Sequence, residues 1–355
     1  MAFVGFDLDE TLGRFAVPDG HLYFLMPEAL YTTQFRPYAP FHIPSEELKR
    51  KLQAAFDTFA VCLADKEPEL GMLRPGILEI VKKIAQLKEE GRVKGIVVYS
   101  NNGNLAALLL ATKMIEHKLE KPGLFCNHID WWNPIRNGKN QKGKPGKAKK
   151  TARVLQESFV GRCGDIESYE DVPLEKLFFF DDLNPPHPDL YRHIGADRYF
   201  KVNPYKKDAS LEEVQSCFDQ ALQSEGLLQD QEYLTYITKI LRSAQPPFPR
   251  AFASINQYLQ YYNDGFVLKD EPFLNDTEEI LRRLDALFPP RAASAEEEGG
   301  NADIAPGSPV PNNFGGKFYP IGGKQKIKNR HRSVNKNRKN QKNTHKRANK
   351  RTRKN

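Results

Sequence analysis

Two carboxylates stand two residues apart in Asp7-Leu-Asp-Glu-Thr11, directly after the apolar run Ala2-Phe-Val-Gly-Phe6. An aspartate at the end of a buried strand can attack phosphorus, which divides a difficult hydrolysis into two steps through an aspartyl-phosphate. A second carboxylate beside it can protonate the leaving oxygen and then activate water. Asp7 is therefore expected as the nucleophile and Asp9 as the general acid/base. Asp181 and Asp182 supply further oxygen donors at the end of Leu177-Phe-Phe-Phe180. Carboxylate oxygens, completed by phosphate oxygens and water, form the surroundings Mg2+ prefers. Such a cation offsets the repulsion between an anionic nucleophile and an anionic phosphate. In Ser100-Asn-Asn-Gly103, Ser100 can donate to a phosphate oxygen, with Asn101 next to it, and a lysine can balance charge growing in the transition state.

These groups must be brought together by their flanking elements. Ala2 to Phe6, Gly95 to Tyr99, Leu177 to Phe180 and Tyr199 to Val202 read as short buried strands, and the first three run straight into polar residues. Between them lie helical patterns. Residues 45–64 start with Ser45 as N-cap and Glu46 and Glu47 in the first turn. Pro75 opens a helix to about Glu90, and further helices are expected over Leu105 to Leu119, 151–159 and Leu211 to Leu222. Strands alternating with helices imply an α/β fold with a mainly parallel, doubly wound sheet in three layers. Ligands of such sheets bind beyond the carboxyl ends of the strands. Asp7 and Asp9, Ser100, and Asp181 and Asp182 would therefore meet in one crevice.

The ordered set resembles the haloacid-dehalogenase superfamily of phosphohydrolases: strand then D-x-D-x-T, strand then Ser, a Lys, and strand then Asp-Asp. Asp7 to Leu12, Arg74-Pro-Gly76 and Val97-Val-Tyr-Ser100 resemble, more narrowly, the RNA polymerase II C-terminal-domain phosphatase-like family. Lys150 with Leu155 fits that family's Lys-x-x-x-x-Leu stretch. The resemblance spans roughly residues 1–224. It implies a Mg2+-dependent phosphatase with Asp7 as nucleophile, Asp9 as acid/base whose backbone carbonyl also reaches the metal, Thr11 supporting the loop against substrate, and Ser100 and Asn101 on the phosphate. Asp181 and Asp182 would join Asp7 at the metal. The motif lysine is Lys149 or Lys150, and the spacing favours Lys150. The implied substrate is phosphoserine or phosphothreonine in a protein. Gly13-Arg14, Ser100-Asn-Asn-Gly and Asp181-Asp-Leu-Asn depart from the family's usual continuations; they leave the phosphate chemistry in place and bear on the substrate. A polynucleotide 3′- or 5′-end phosphatase is the alternative, and a nucleic-acid-binding protein using the domain as a scaffold is another.

Residues 225–289 carry helical patterning (Tyr233 to Leu241, Ile255 to Tyr262, Glu278 to Leu287) and are expected as a helical extension on the 1–224 domain. Residues 290–323 read as a flexible linker. From Lys324 to Asn355 there are 15 basic residues, and no acid follows Asp303, so this tail is expected to be disordered. With those 15 set aside, 38 basic residues face 45 acidic ones, and the formal charge of +8 belongs to the tail rather than to a globular surface. The tail suits sequence-independent contact with nucleic acid or nuclear targeting. A second basic stretch, Arg136 to Lys150, holds seven cations and no acid. It reads as a solvated loop, or as a device that draws a polyanion to the site, with Trp131-Trp132 before it as packing or as a stacking surface. Cys126, His128 and Asp130 alternate as they would on one face of a strand. Cys62, Cys126, Cys163 and Cys217 are widely spaced without a C-x-x-C pair, so reduced thiols and an intracellular protein, nuclear or cytoplasmic, are expected. The apolar run from Leu105 to Ala111 falls far below the roughly 20 residues of a membrane span, and no membrane contact is expected.

Overall fold

A computed structural model describes residues 1–26, 42–137, 150–243 and 249–290. The linker, the basic tail, Lys149 and most of the Arg136 to Lys150 stretch lie outside the described residues. Five strands, β1 (Ala2–Phe6), β2 (Val93–Tyr99), β3 (Asn127–Ile129), β4 (Leu177–Asp181) and β5 (Tyr199–Lys201), form one sheet in the order β3-β2-β1-β4-β5. Every pairing is parallel. β1 is apolar and buried throughout, as befits the central strand of a sheet covered on both faces.

Side chains alternate across the sheet into two separate apolar clusters. Val4, Phe6, Ile96, Val98, Phe178, Phe180 and Phe200 join one; Phe3, Val97, Tyr99, Leu177, Phe179 and Tyr199 join the other. The first face is covered by α1 (Ala16–Leu25), α2 (Glu46–Asp65), α3 (Ile77–Glu89), α4 (Leu105–Lys118) and α7 (Leu211–Ser224). The second carries α5 (Ala152–Glu157) and α6 (Pro188–Ile194). Helices α8 (Gln231–Arg242), α9 (Ile255–Asp264) and α10 (Thr277–Leu287) bury Tyr233, Ile240, Leu259 and Leu284 in the same cluster as Val4 and Phe6. Residues 225–289 therefore complete one face of this core. The expected cap on α2 is present, Ser45 accepting from the Leu48 N–H, and at the start of α4 the Asn104 side chain accepts from the Ala106 N–H.

Three elements were not anticipated: α1, β3 and α6. α1 lacks a side-chain cap and is buried on most sides, including Gly20 and His21, so it shows no amphipathic stripe. β3 and α6 are too short for periodicity to mark. The expectation of reduced thiols is corrected. Cys62 pairs with Cys217 and Cys126 with Cys163, with Cα separations of 5.6 and 5.3 Å. These pairs span 155 and 37 residues, so only packing of α2 on α7, and of the β3 edge on the turn after α5, reveals them. The thiols thus no longer speak for a reducing compartment. Cys126 is committed to its disulfide, and His128 contacts the Thr112 hydroxyl at 2.8 Å. Among the described residues, no helix is long and apolar enough to cross a membrane.

His21 on α1 is fully buried, with Nε2 3.1 Å from Gln215 Oε1 on α7. Burial pushes its imidazole down from 6.5 to about 4. The unfolded chain takes up this proton near pH 6.5 and the folded chain only near pH 4, so stability is intact above that window and falls as pH drops through it. The shift corresponds to about 3 kcal/mol. Thermal melts between pH 7 and pH 4.5 should show a steeper loss for wild type than for His21→Gln. Parallel curves would remove His21 as the cause.

Candidate active site

Because β1, β2 and β4 are parallel, their carboxyl ends open on one edge, and β1 and β4 are direct neighbours there. Beneath that edge Phe6, Phe180 and Phe200 stack across three adjacent strands, with centroids 4.6 and 4.5 Å apart. The stack locks β1 and β4 in register one residue before Asp7 and Asp181. The Asp7 N–H donates to the Phe180 carbonyl at 2.9 Å, continuing the ladder into the site. The loop then turns sharply. Glu10 takes φ +62°, and Gly13 approaches residues 72–73 so closely that a Cβ would lie 2.2 Å from the Met72 carbonyl oxygen.

Lys150 is the centre of the cluster. Its side chain is fully buried, with Nζ 2.6 Å from Asp7 Oδ2 and 3.1 Å from Asp181 Oδ1. The neighbouring Thr151 fixes its position. Thr151 caps α5, accepting from the Val154 N–H, and the Thr151 N–H donates to Tyr99 Oη at 3.0 Å. The Tyr199 hydroxyl donates to the other Asp181 oxygen, Oδ2. Thr11, buried, donates to Asp182 Oδ1 at 3.0 Å. Asp9 is held separately: Asn102 Nδ2 donates to its Oδ2 at 3.0 Å, and Asn102 Oδ1 accepts from the Asn104 N–H. Ser100, buried at the end of β2, helps to hold the Asp7 carboxyl low.

Electrostatics separate the carboxyls. Burial raises Asp7, but the Lys150 ammonium outweighs it and holds the group below its ordinary value, in its ionised form. Burial and the charge of Asp7 push Asp9 up to about 6, within reach of donating and accepting a proton near neutrality. Burial pushes Asp181 up to about 6 despite Lys150, and burial with Asp7 and Asp181 pushes Asp182 to about 7. Burial is the first cause of all three elevated values, and the charge of Asp7 adds to it at each. Oxygens of Asp7, Asp181 and Asp182 lie within 4.8 Å of one another. An all-carboxylate donor set, with excess negative charge, fits a hard divalent cation such as Mg2+. The Asp9 carboxylate is not among these three.

The structure thus gathers Asp7, Lys150, Asp181 and Asp182 into direct contact range, places Ser100 at the end of the adjacent strand β2, and leaves Asn101 exposed on the turn that follows. Tyr199 and Asn102 were missed. Tyr199 read as a strand residue, and Asn102 as a turn former beside the more obvious Ser100. Comparison with known proteins yields no relative: no family model, curated protein or solved structure matches the chain.

Proposed function

We infer that the chain is a phosphate-monoester hydrolase of haloacid-dehalogenase type that works through an aspartyl-phosphate on Asp7. The observation that carries this reading is the ionised Asp7 at a strand end, 2.6 Å from a buried lysine and grouped with Asp181 and Asp182. An Asp7 oxygen attacks phosphorus as the bond to the leaving oxygen breaks, and Asp9 gives that oxygen its proton. Water then attacks the phosphorus of the aspartyl-phosphate, Asp9 accepts its proton, and orthophosphate leaves with Asp7 restored. Ser100 and Lys150 offset charge on the transferring group. Asp7, Asp181 and Asp182 would hold Mg2+, which when bound supplies charge neutralisation and orientation of the phosphoryl group.

A phosphoserine or phosphothreonine in a protein is the substrate class we propose, on the resemblance to the polymerase-tail phosphatases. One observation favours the polynucleotide-end alternative. Trp131 and Trp132 sit half-buried beside the Ser100 turn, the Trp131 N–H bonding to the Asn102 carbonyl. The test is turnover of an aryl phosphate with Mg2+ and its loss in EDTA, followed by a phosphopeptide against 3′- and 5′-phosphorylated oligonucleotides. Faster hydrolysis of the peptide is expected. No metal-dependent release of phosphate from any of these would sink the reading.

A further inference from the structure

Arg136, at the edge of the basic stretch, is 4% exposed and packs between aromatic faces, its guanidinium carbon 5.0 Å from the Tyr99 ring centre and 5.1 Å from that of Trp131. Its fork reaches the turn after β2. Nη1 donates to the Ser100 carbonyl at 2.6 Å and to the Asp130 carbonyl at 3.3 Å, and Nη2 donates to Asn101 Oδ1 at 2.6 Å. A guanidinium has donors only, so it selects the carbonyl end of the Asn101 amide and turns the two N–H groups of that amide away from itself. Asn101 is exposed, and the end it offers outward is therefore a donor. Ser100 is treated alike. Its carbonyl is tied back by Arg136, and its hydroxyl oxygen accepts from the Asn102 N–H at 3.1 Å, which leaves the hydroxyl proton as the group it can give to a ligand.

We propose that Arg136 is a positioning residue that presets the Ser100–Asn101 turn as an all-donor surface for the phosphoryl oxygens. The ligand class is a phosphate dianion, and the proposal rests on the phosphatase reading above. Arg136 acts through Asn101 and Ser100: withdrawing their acceptors removes the lone pairs that would repel an oxyanion, and the preorganised donors need no rearrangement when phosphate arrives. A lysine at this position keeps a cation but has a single nitrogen, which cannot hold the Ser100 carbonyl and Asn101 Oδ1 in the fork geometry.

The experiment measures binding of orthophosphate with Mg2+ by calorimetry, its inhibition of aryl phosphate turnover, and thermal melting, for wild type, Arg136→Lys, Asn101→Ala and the double variant. Each single change should weaken orthophosphate binding about tenfold and raise KM more than it lowers kcat. The double variant should lose less than the product of the two, because both remove the same presented amide. A folded Arg136→Lys protein with wild-type phosphate affinity, or losses that multiply in full, would overturn the proposal. Should Arg136→Lys fail to fold, Asn101→Asp tests the same point at an exposed position. It keeps an acceptor for Arg136 but removes the N–H donors, and at least tenfold weaker binding is expected, with unchanged affinity overturning the role. A wild type that binds orthophosphate but hydrolyses no aryl phosphate defeats the enzymatic reading alone. One that binds none defeats both.

Discussion

Replacing Asp7 with Asn is expected to lower aryl phosphate turnover by at least about 10³-fold, the order of effect seen when a covalent nucleophile is removed. The substitution is nearly isosteric and preserves the ladder bond from the Asp7 N–H to Phe180, so the strand end should keep its place. Lys150 also keeps Asp181 as a partner at 3.1 Å, so its ammonium is not stranded. The effect should therefore appear in kcat, with circular dichroism unchanged. Rapid-quench labelling gives an independent check: wild type should trap an acid-stable phosphoryl adduct that Asp7→Asn does not form. Turnover by Asp7→Asn within a few-fold of wild type would rule out Asp7 as nucleophile, whatever the substrate proves to be.

Lys150→Met is expected to cost stability as well as activity. The lysine is fully buried between Asp7 and Asp181, and a methionine of similar length fills its volume without its charge. Two carboxylates are then left together in a buried site with no cation between them, a situation that typically costs about 3–5 kcal/mol. Urea unfolding in EDTA, which removes any compensating metal, should show the unfolding free energy fall by that amount, as a lower midpoint with little change in slope. A loss below about 1 kcal/mol would mean that the cluster tolerates its own charge, and that Lys150 does not hold it together.

Much of the fold was legible in consecutive residues. β1, β2 and β4 announce themselves as apolar runs of strand length that stop at Asp7, Ser100 and Asp181, and their alternation with helices such as Glu46–Asp65 implies a parallel sheet. The short β3 and the uniformly buried α1 carry no such period and stayed hidden. In the site, charged and polar residues at strand ends were conspicuous because burial of the preceding run left them no local explanation. Tyr199, Asn102 and Arg136 were not, since each is an ordinary strand, turn or loop residue until its partner is known.

Local pattern and residue chemistry thus decide which polar side chains stand at strand ends and which strands must deliver them, because both are properties of neighbours in the chain. The pairing of Asp7 with Lys150, the hold of Tyr199 on Asp181, the grip of Arg136 on Asn101 and the two disulfides are not such properties. They join residues up to 155 positions apart. They depend on the strand order β3-β2-β1-β4-β5 and on which helix covers which face. Those are outcomes of packing the whole chain, decided only when all the apolar faces are buried together.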